Sequence, residues 1–313
     1  MRSQAVVLES PGRIALAELD LTDPNHEDVV VEVERSGIST GTEKLLFSGR
    51  MPEFPGMAYP LVPGYETVGI IAEAGPQSTR RVGERVFVPG ANCYGPVRGL
   101  FGGAASRIVV PGRRTLPVSP AIGDEAVLLA LAATAWHAVS PDNCRPPELI
   151  VGHGALGRLA ARIVLATGGR VPTVWETDPA RRAGDVPYAV VAPDADPRRD
   201  YHRILDLSGD GGIFDSLVAR IARGGEIALG GFYAERVSFA FPPAFMREAR
   251  FRVAAEWRPS DLESVSALIE AGRLSLDGII THHARPADAG DAYRTAFGDS
   301  SCLKMVLDWR NAA

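Results

Sequence analysis

One twelve-residue stretch, Leu149-Ile150-Val151-Gly152-His153-Gly154-Ala155-Leu156-Gly157-Arg158-Leu159-Ala160, constrains the fold more than any other part of the chain. An apolar run enters a glycine-punctuated turn and leaves as a helix, which is the strand-turn-helix pattern of a dinucleotide site. Gly152 is placed for a tight turn, Gly154 for close approach of backbone to a pyrophosphate, and Gly157 for close packing of the new helix. Unpaired N–H groups around Ala155 and Leu156, with the positive end of the helix dipole, would receive the phosphates.

Glycine-rich turns also occur without a nucleotide, so the acidic partner expected about 20 residues further on carries weight. Glu176 closes the next strand-like run, Val171-Pro172-Thr173-Val174-Trp175-Glu176, nineteen residues after Gly157. A carboxylate there takes both ribose hydroxyls and repels a 2′-phosphate, which predicts NAD over NADP. Arg181 and Arg182 follow closely and read as the solvated start of a helix, with service to a 2′-phosphate as the alternative.

The chain has 313 residues, enough for two domains with their own cores. Its net charge of −5 comes without a basic block, which argues against nucleic acid as a partner. No uninterrupted apolar run reaches the roughly 18 residues of a membrane span, and the N-terminus lacks a signal pattern, so a cytoplasmic location is expected. Cys93, Cys144 and Cys302 are few and widely separated, as suits a reducing compartment, and they rule out a disulfide framework.

Residues 5–118 read as a β-rich lobe of short strands and Gly/Pro turns, with the loop Ser36–Tyr65 suited to carry a site. From about 121 the period becomes helical over Asp124–Val139. Strands at 188–191, 202–207, 226–230 and 251–257 then alternate with helices, one of them spanning 213–223 and stopped by Gly224-Gly225. The short Asp/Pro/Arg-rich connection 193–201 leaves no room for a helix. A capping box at Ser260-Asp261-Leu262-Glu263 opens a helix that Gly272 stops, and a strand at 303–309 returns to the first lobe. These patterns predict an α/β chain: a β-rich domain over 1–120, a doubly wound parallel sheet over 121–258, and a C-terminal return over 259–313.

Gly64-Tyr65-Glu66-Thr67-Val68-Gly69, Val82-Gly83-Glu84-Arg85-Val86, Thr134-Ala135-Trp136-His137-Ala138, the glycine turn and Ile280-Thr281-His282 occur in the order found in the medium-chain dehydrogenase/reductase superfamily, which the chain resembles over nearly its whole length. Arg35-Ser36-Gly37-Ile38-Ser39-Thr40-Gly41-Thr42-Glu43 and the form of the glycine turn are similar, more narrowly, to the 3-hydroxyethyl bacteriochlorophyllide a dehydrogenases within it. The resemblance implies a GroES-like catalytic domain joined to a Rossmann NAD-binding domain. It also implies oxidation of the secondary alcohol on a chlorophyllide-type tetrapyrrole to an acetyl ketone.

Where the superfamily's zinc enzymes carry metal ligands, this chain has Ser39, Tyr65 and Ala130. Hydroxyls and alanine do not make a catalytic zinc site, and Cys93 alone cannot form a structural one, so a metal-free member is expected. Tyr65 is then the first candidate to bond the reacting hydroxyl. Lys44 is expected to lower its pKa or pass a proton, and Ser39 and Thr42 to line the same cavity. Glu43 and Glu66 read as carboxylates that fix loops. Thr134 matches a nicotinamide contact in the superfamily, and Ser208 should lie near the cofactor ribose.

A wide cleft for the macrocycle is expected, with Met51–Tyr59 as a wall and Arg50, Arg98 and Arg247 as candidate partners of a propionate. The resemblance leaves room for a homodimer and for peripheral contact with a membrane. Two rival readings remain at this stage: a zinc-free NADPH-dependent quinone or enoyl reductase, and a non-catalytic NAD- or pigment-binding protein.

Overall fold

The computed structural model describes residues 1–140 and 145–310, so Cys144 lies outside the described residues. The chain forms two compact units, Met1–Ala130 with Ile280–Ala313, and Leu131–Ile279.

In the first unit, alternating Val-rich segments pair into two sheets. Arg13–Asp20, Arg2–Ser10, Leu61–Val62 and Arg98–Gly99 form one, in that spatial order. The other runs His282–Ala284, Met305–Asp308, Asp28–Ile38, Thr67–Ala74, Arg85–Val88 and Leu116–Pro117, with Arg107–Pro111 also paired to Asp28–Ile38. The central strand Asp28–Ile38 is buried along both faces, so it reads as a nearly continuous apolar run (Val29-Val30-Val31 and Val33). The expected C-terminal return is present: Met305 stands opposite Ile38 and Asp308 opposite Arg35, antiparallel. This register brings Lys304 beside the segment 38–43. The core joins Val29, Val31, Ile71, Val86 and Ile108 to Tyr293 and Trp309 from the C-terminal segment.

The second unit is a six-stranded sheet in the order Ala189–Val191, Thr173–Trp175, Leu149–Val151, Tyr201–Asp206, Ile221–Leu229, Arg250–Val253, parallel throughout. Numbered by sequence, that order is 3-2-1-4-5-6, the doubly wound arrangement whose ligand crevice lies beyond the carboxyl ends of the first and fourth strands. The glycine turn follows the first strand and Ser208 the fourth. The connection Pro193–Asp200 holds only the 3₁₀ turn Pro193–Ala195, as its composition predicts.

Three boundaries differ from the sequence reading. The helix expected over 213–223 ends at Arg220, because Ile221 already pairs with Tyr201 in the sheet. The helix expected to open at Ser260 starts at Pro259, and the capping carboxylate is Asp261, which accepts the Arg258 N–H at 2.7 Å. That helix belongs to the dinucleotide-type unit, which therefore extends to Ile279 instead of 258. Its Leu262, Val265 and Leu268 are buried, and Asp261 meets His137 at 2.9 Å.

One segment, Ala121–Val139, is long and apolar enough to cross a membrane by length and composition. Gly123 breaks its helical geometry, and Ala126, Val127, Leu128 and Leu129 are fully or almost fully buried, so it reads as a core element. Cys93 and Cys302 are both buried.

Candidate functional site

In the dinucleotide-type unit the turn adopts the shape its glycines permit. Gly152 has φ +99°, a conformation that side-chain-bearing residues rarely adopt. A Cβ on Gly157 would stand 1.9 Å from the Gly152 carbonyl oxygen, so no larger residue fits there. The helix Ala155–Ala166 begins at Gly154 with no side chain capping its N-terminus, leaving the N–H groups of Ala155, Leu156 and Gly157 for an anion.

Glu176, 9 % exposed, lies against this turn. Its Oε2 accepts the His153 N–H at 3.0 Å and its Oε1 the Asp178 N–H at 2.9 Å. An uncapped helix N-terminus beside a fixed carboxylate fits a nucleotide cofactor. The Arg182 guanidinium is half-buried and engaged with the carbonyls of Glu176 (3.0 Å) and Thr177 (2.8 Å). Arg181 has its Nη1 3.9 Å from the position of a Cβ on Gly154. Ser208 shapes the loop after the fourth strand: its N–H donates to buried Asp206 (3.0 Å), and its hydroxyl accepts the Asp210 N–H (3.1 Å). Tyr233 closes the other side of Asp206, whose carboxyl burial pushes above the ordinary range. Thr134 is half-buried on the helix Leu129–Val139.

In the other unit, Tyr65 is held at 2.6 Å from Ser39 Oγ, with Thr42 near enough to act against the rise in its pKa. Phe101 meets its ring edge-on, with centroids 5.5 Å apart. Burial, then the Glu66 and Glu43 charges, raises the Tyr65 pKa far above that of a free phenol. The hydroxyl therefore keeps its proton at neutral pH and is able to donate a hydrogen bond.

Beneath it, Glu43 accepts the Ser39 N–H at 2.9 Å and the Tyr293 hydroxyl at 2.6 Å. Burial raises its pKa to about 7. Glu66 is fully buried against Lys304, whose Nζ reaches both carboxylate oxygens (2.9 and 2.6 Å) and the Ile38 carbonyl (3.2 Å). Both carboxylates fix loops, as expected from sequence. Tyr293 and Lys304 were not anticipated. They lie 250 and 238 residues from their partners, and nothing local marks them.

Lys44 is a correction. It is exposed on the short helix Thr42–Ser48 and its ammonium donates to the Phe297 carbonyl at 3.0 Å, away from the groups that set the Tyr65 pKa. The wall expected of Met51–Tyr59 is also revised. Met51 is buried among Leu8, Leu45, Leu46, Leu61 and Leu100, Met57 and Tyr59 pack against that cluster, and Phe54 stays 39 % exposed. Arg50 and Arg98 are exposed, whereas Arg247 donates to the Ile221 carbonyl inside the other unit.

Residues 25–120 match the alcohol dehydrogenase GroES-like domain. The 2-desacetyl-2-hydroxyethyl bacteriochlorophyllide a dehydrogenase of Rhodobacter capsulatus is 56 % identical over 313 residues, covering all of both chains. Its counterpart in Cereibacter sphaeroides is 54 % identical over 318 residues, again with full coverage of each. The chain belongs to this dehydrogenase family. Among solved structures, 2R,3R-butanediol dehydrogenase from Bacillus subtilis superposes with a TM-score of 0.84 at 17 % identity, covering 98 % of this chain and 99 % of that one. An Escherichia coli alcohol dehydrogenase complexed with NADH gives 0.83 at 20 %, with the same coverage. At that distance the likeness establishes the fold, a GroES-like domain with a Rossmann domain.

For a member of this dehydrogenase family the metal question rests on donor chemistry. Among the described residues there is no group of three or more His, Cys, Asp or Glu side chains able to hold a metal ion. Ser39 and Tyr65 bond each other, Glu43 is taken by Ser39 and Tyr293, and Glu66 by Lys304. This set does not fit a catalytic zinc, and no step below is routed through one.

Proposed function

We propose that the chain oxidises the secondary alcohol of the hydroxyethyl arm of a bacteriochlorophyllide to the acetyl ketone, with NAD as acceptor and without catalytic zinc. The substrate class follows from full-length relatives at 56 % and 54 % identity that carry this activity in their names. The observation that carries the chemistry is the hydroxyl pair Ser39–Tyr65, with Thr42 beside it, at positions the zinc enzymes of the superfamily give to ligands. NAD, held at the glycine turn with its ribose on Glu176, supplies the hydride acceptor.

The carbinol carbon gives up a hydride while its oxygen gives up a proton, so the protein must hold the alcohol oxygen and lead the proton away. Tyr65 accepts the alcohol proton on its oxygen as its own proton passes to Thr42, which gives up its hydroxyl proton to water, while Ser39 holds the phenol oxygen in place; the Tyr65 hydroxyl then donates to the ketone oxygen formed. Ser39 is almost fully buried and Thr42 only half so, which makes Thr42 the end of the relay from which water can take the proton. A pair of relayed hydroxyls avoids the phenolate that burial makes unfavourable.

Two further assignments belong to this reading. The cytoplasm is the location that suits a chain with so few and widely separated cysteines. A homodimer would form along the sheet edge Arg250–Val253, where Phe251 and Val253 are 36 % and 73 % exposed. Both are tested by fractionation and by sedimentation.

The deciding experiment supplies purified protein with a hydroxyethyl chlorin pigment and either NAD or NADP, while bound metal is measured on the same preparation. Acetyl pigment and NADH appearing in equal amounts, with no stoichiometric zinc and no loss on chelation, supports the proposal. Faster NADPH-dependent reduction of quinones or enones, or pigment bound without a change in its spectrum, would replace it with one of the two rival readings.

A further inference from the structure

The side chain of His153, between the first two glycines of the turn, has no place in the phosphate-binding pattern. Yet it is completely buried, and both ring nitrogens are engaged. Nδ1 lies 2.7 Å from the Arg181 carbonyl and Nε2 lies 3.0 Å from the Tyr188 hydroxyl. A carbonyl can only accept, so Nδ1 carries the proton and Nε2 accepts from Tyr188. The Tyr188 ring meets the imidazole edge-on at 5.6 Å. Burial lowers the imidazole's pKa, which keeps this neutral tautomer.

The histidine therefore joins three separate pieces of chain: the glycine turn, the short helix Pro179–Arg182, and Tyr188 before the strand Ala189–Val191. Arg158 reinforces the first junction, its Nε donating to the His153 carbonyl (3.2 Å) and its Nη2 to the Arg181 carbonyl (3.3 Å). Glu176 sits inside this clasp, fixed from one side by the His153 N–H and from the other by Asp178 N–H. The same clasp fixes the backbone that bears Arg181 and Arg182, the two cations nearest in sequence that a 2′-phosphate would recruit.

We infer that His153 is a positioning residue for cofactor choice: through Arg181 and Tyr188 it holds the 176–182 segment so that Glu176 faces the ribose hydroxyls and a 2′-phosphate finds a carboxylate in its place. The inference rests on the NAD assignment above. Loss of the imidazole leaves the backbone bond to Glu176 and the Arg158 bond to the Arg181 carbonyl in place, but it releases Tyr188 and removes the shorter of the two bonds to Arg181, so the segment can turn its arginines inward. Discrimination should then fall more than affinity does.

The test is equilibrium binding of NADH and of NADPH, followed by nicotinamide fluorescence, to the full-length wild type and to His153→Leu, His153→Asn and Tyr188→Phe. In His153→Leu the preference for NADH over NADPH is expected to narrow by about tenfold or more, the scale of a buried hydrogen bond left unmade. His153→Asn, whose amide can donate at the Nδ1 position, should keep the preference within about threefold, and Tyr188→Phe should fall between the two.

Equal weakening of both dinucleotides in His153→Leu, or an unchanged preference, overturns the inference and leaves His153 a packing residue. Should His153→Leu not fold, His153→Asn and Tyr188→Phe decide: a preference lower in the phenylalanine variant than in the asparagine variant supports the clasp, and the same preference in both overturns it. A wild type that binds NADPH more tightly than NADH, or neither, removes the NAD assignment itself, a result visible before any variant is made.

Discussion

The two candidate sites are built in opposite ways. At the glycine turn the binding groups are backbone N–H groups, and the sequence requirement is for what must be absent: side chains at Gly152 and Gly157. Around Tyr65 the groups are side chains: Ser39, Glu43, Glu66, Tyr293 and Lys304 are buried together with their charges, and Tyr65 is half-buried against them. A backbone site is held by local geometry and tolerates change around it. A buried polar cluster is held by mutual satisfaction, and each member removed strands another. Variants should therefore be costly in stability at the second site and visible chiefly in cofactor binding at the first.

Lys304→Met should give the largest effect. It leaves the fully buried Glu66 carboxylate without its cation and the Ile38 carbonyl without its donor, a change that typically costs about 3–5 kcal/mol. Thermal unfolding should begin roughly 10 °C lower, and the double variant Glu66→Gln/Lys304→Met should recover much of the loss. NADH affinity of the folded protein should stay unchanged, and if it falls with stability the contrast between the two sites breaks down.

Glu43→Gln sharpens the same contrast through pH. The Glu43 pKa is raised from an unfolded value of 4.5 to about 7, so the folded state favours the neutral acid. Its stabilising share is complete below pH 4.5 and lost as pH rises to about 7, a decline on the order of 3 kcal/mol at most. Glutamine keeps an acceptor for the Ser39 N–H and can donate to Tyr293. The difference in unfolding free energy between variant and wild type should thus grow in the variant's favour from pH 4.5 to 7 and level off above. A constant difference across that window means that Glu43 does not titrate there.

Tyr65→Phe removes one hydroxyl and should lower kcat by about a hundredfold, comparable with loss of one donor to a developing oxyanion. NADH binding should be unaltered, and Ser39→Ala should cost less because it leaves the Tyr65 hydroxyl, with Thr42 nearby, in place. Unchanged turnover in Tyr65→Phe would move the proton relay elsewhere in the protein.

What could be read in advance follows the same division. Gly152, Gly154, Gly157 and Glu176 were legible because turn geometry, helix start and strand end are local consequences of residue type and spacing. The alternation of strands and helices that gave the parallel sheet is equally local. Lys304 and Tyr293 were not legible, since the register of Met305–Asp308 against Asp28–Ile38 brings them to Glu66 and Glu43 from the far end of the chain. His153 was passed over because a motif defined by glycines treats the residues between them as free. The helix at 213–223 was drawn too long for a related reason: Ile221 is claimed by a long-range strand pairing that helical periodicity does not contain.

Lys44 marks the lower end of the scale and tests the side-chain site from outside. The superfamily resemblance implied a cation beside Tyr65, but the structure ties the Lys44 ammonium to the Phe297 carbonyl on an exposed face. Exposed polar contacts of that kind contribute little to stability, and substitutions there usually change it by no more than about 0.5 kcal/mol. Lys44→Met should accordingly leave kcat within about twofold and shift neither limb of the pH–rate profile. A loss of rate approaching that of Tyr65→Phe, restored by raising pH, would mean that the lysine reaches the phenol during turnover and that the relay ends in a cation instead of at Thr42.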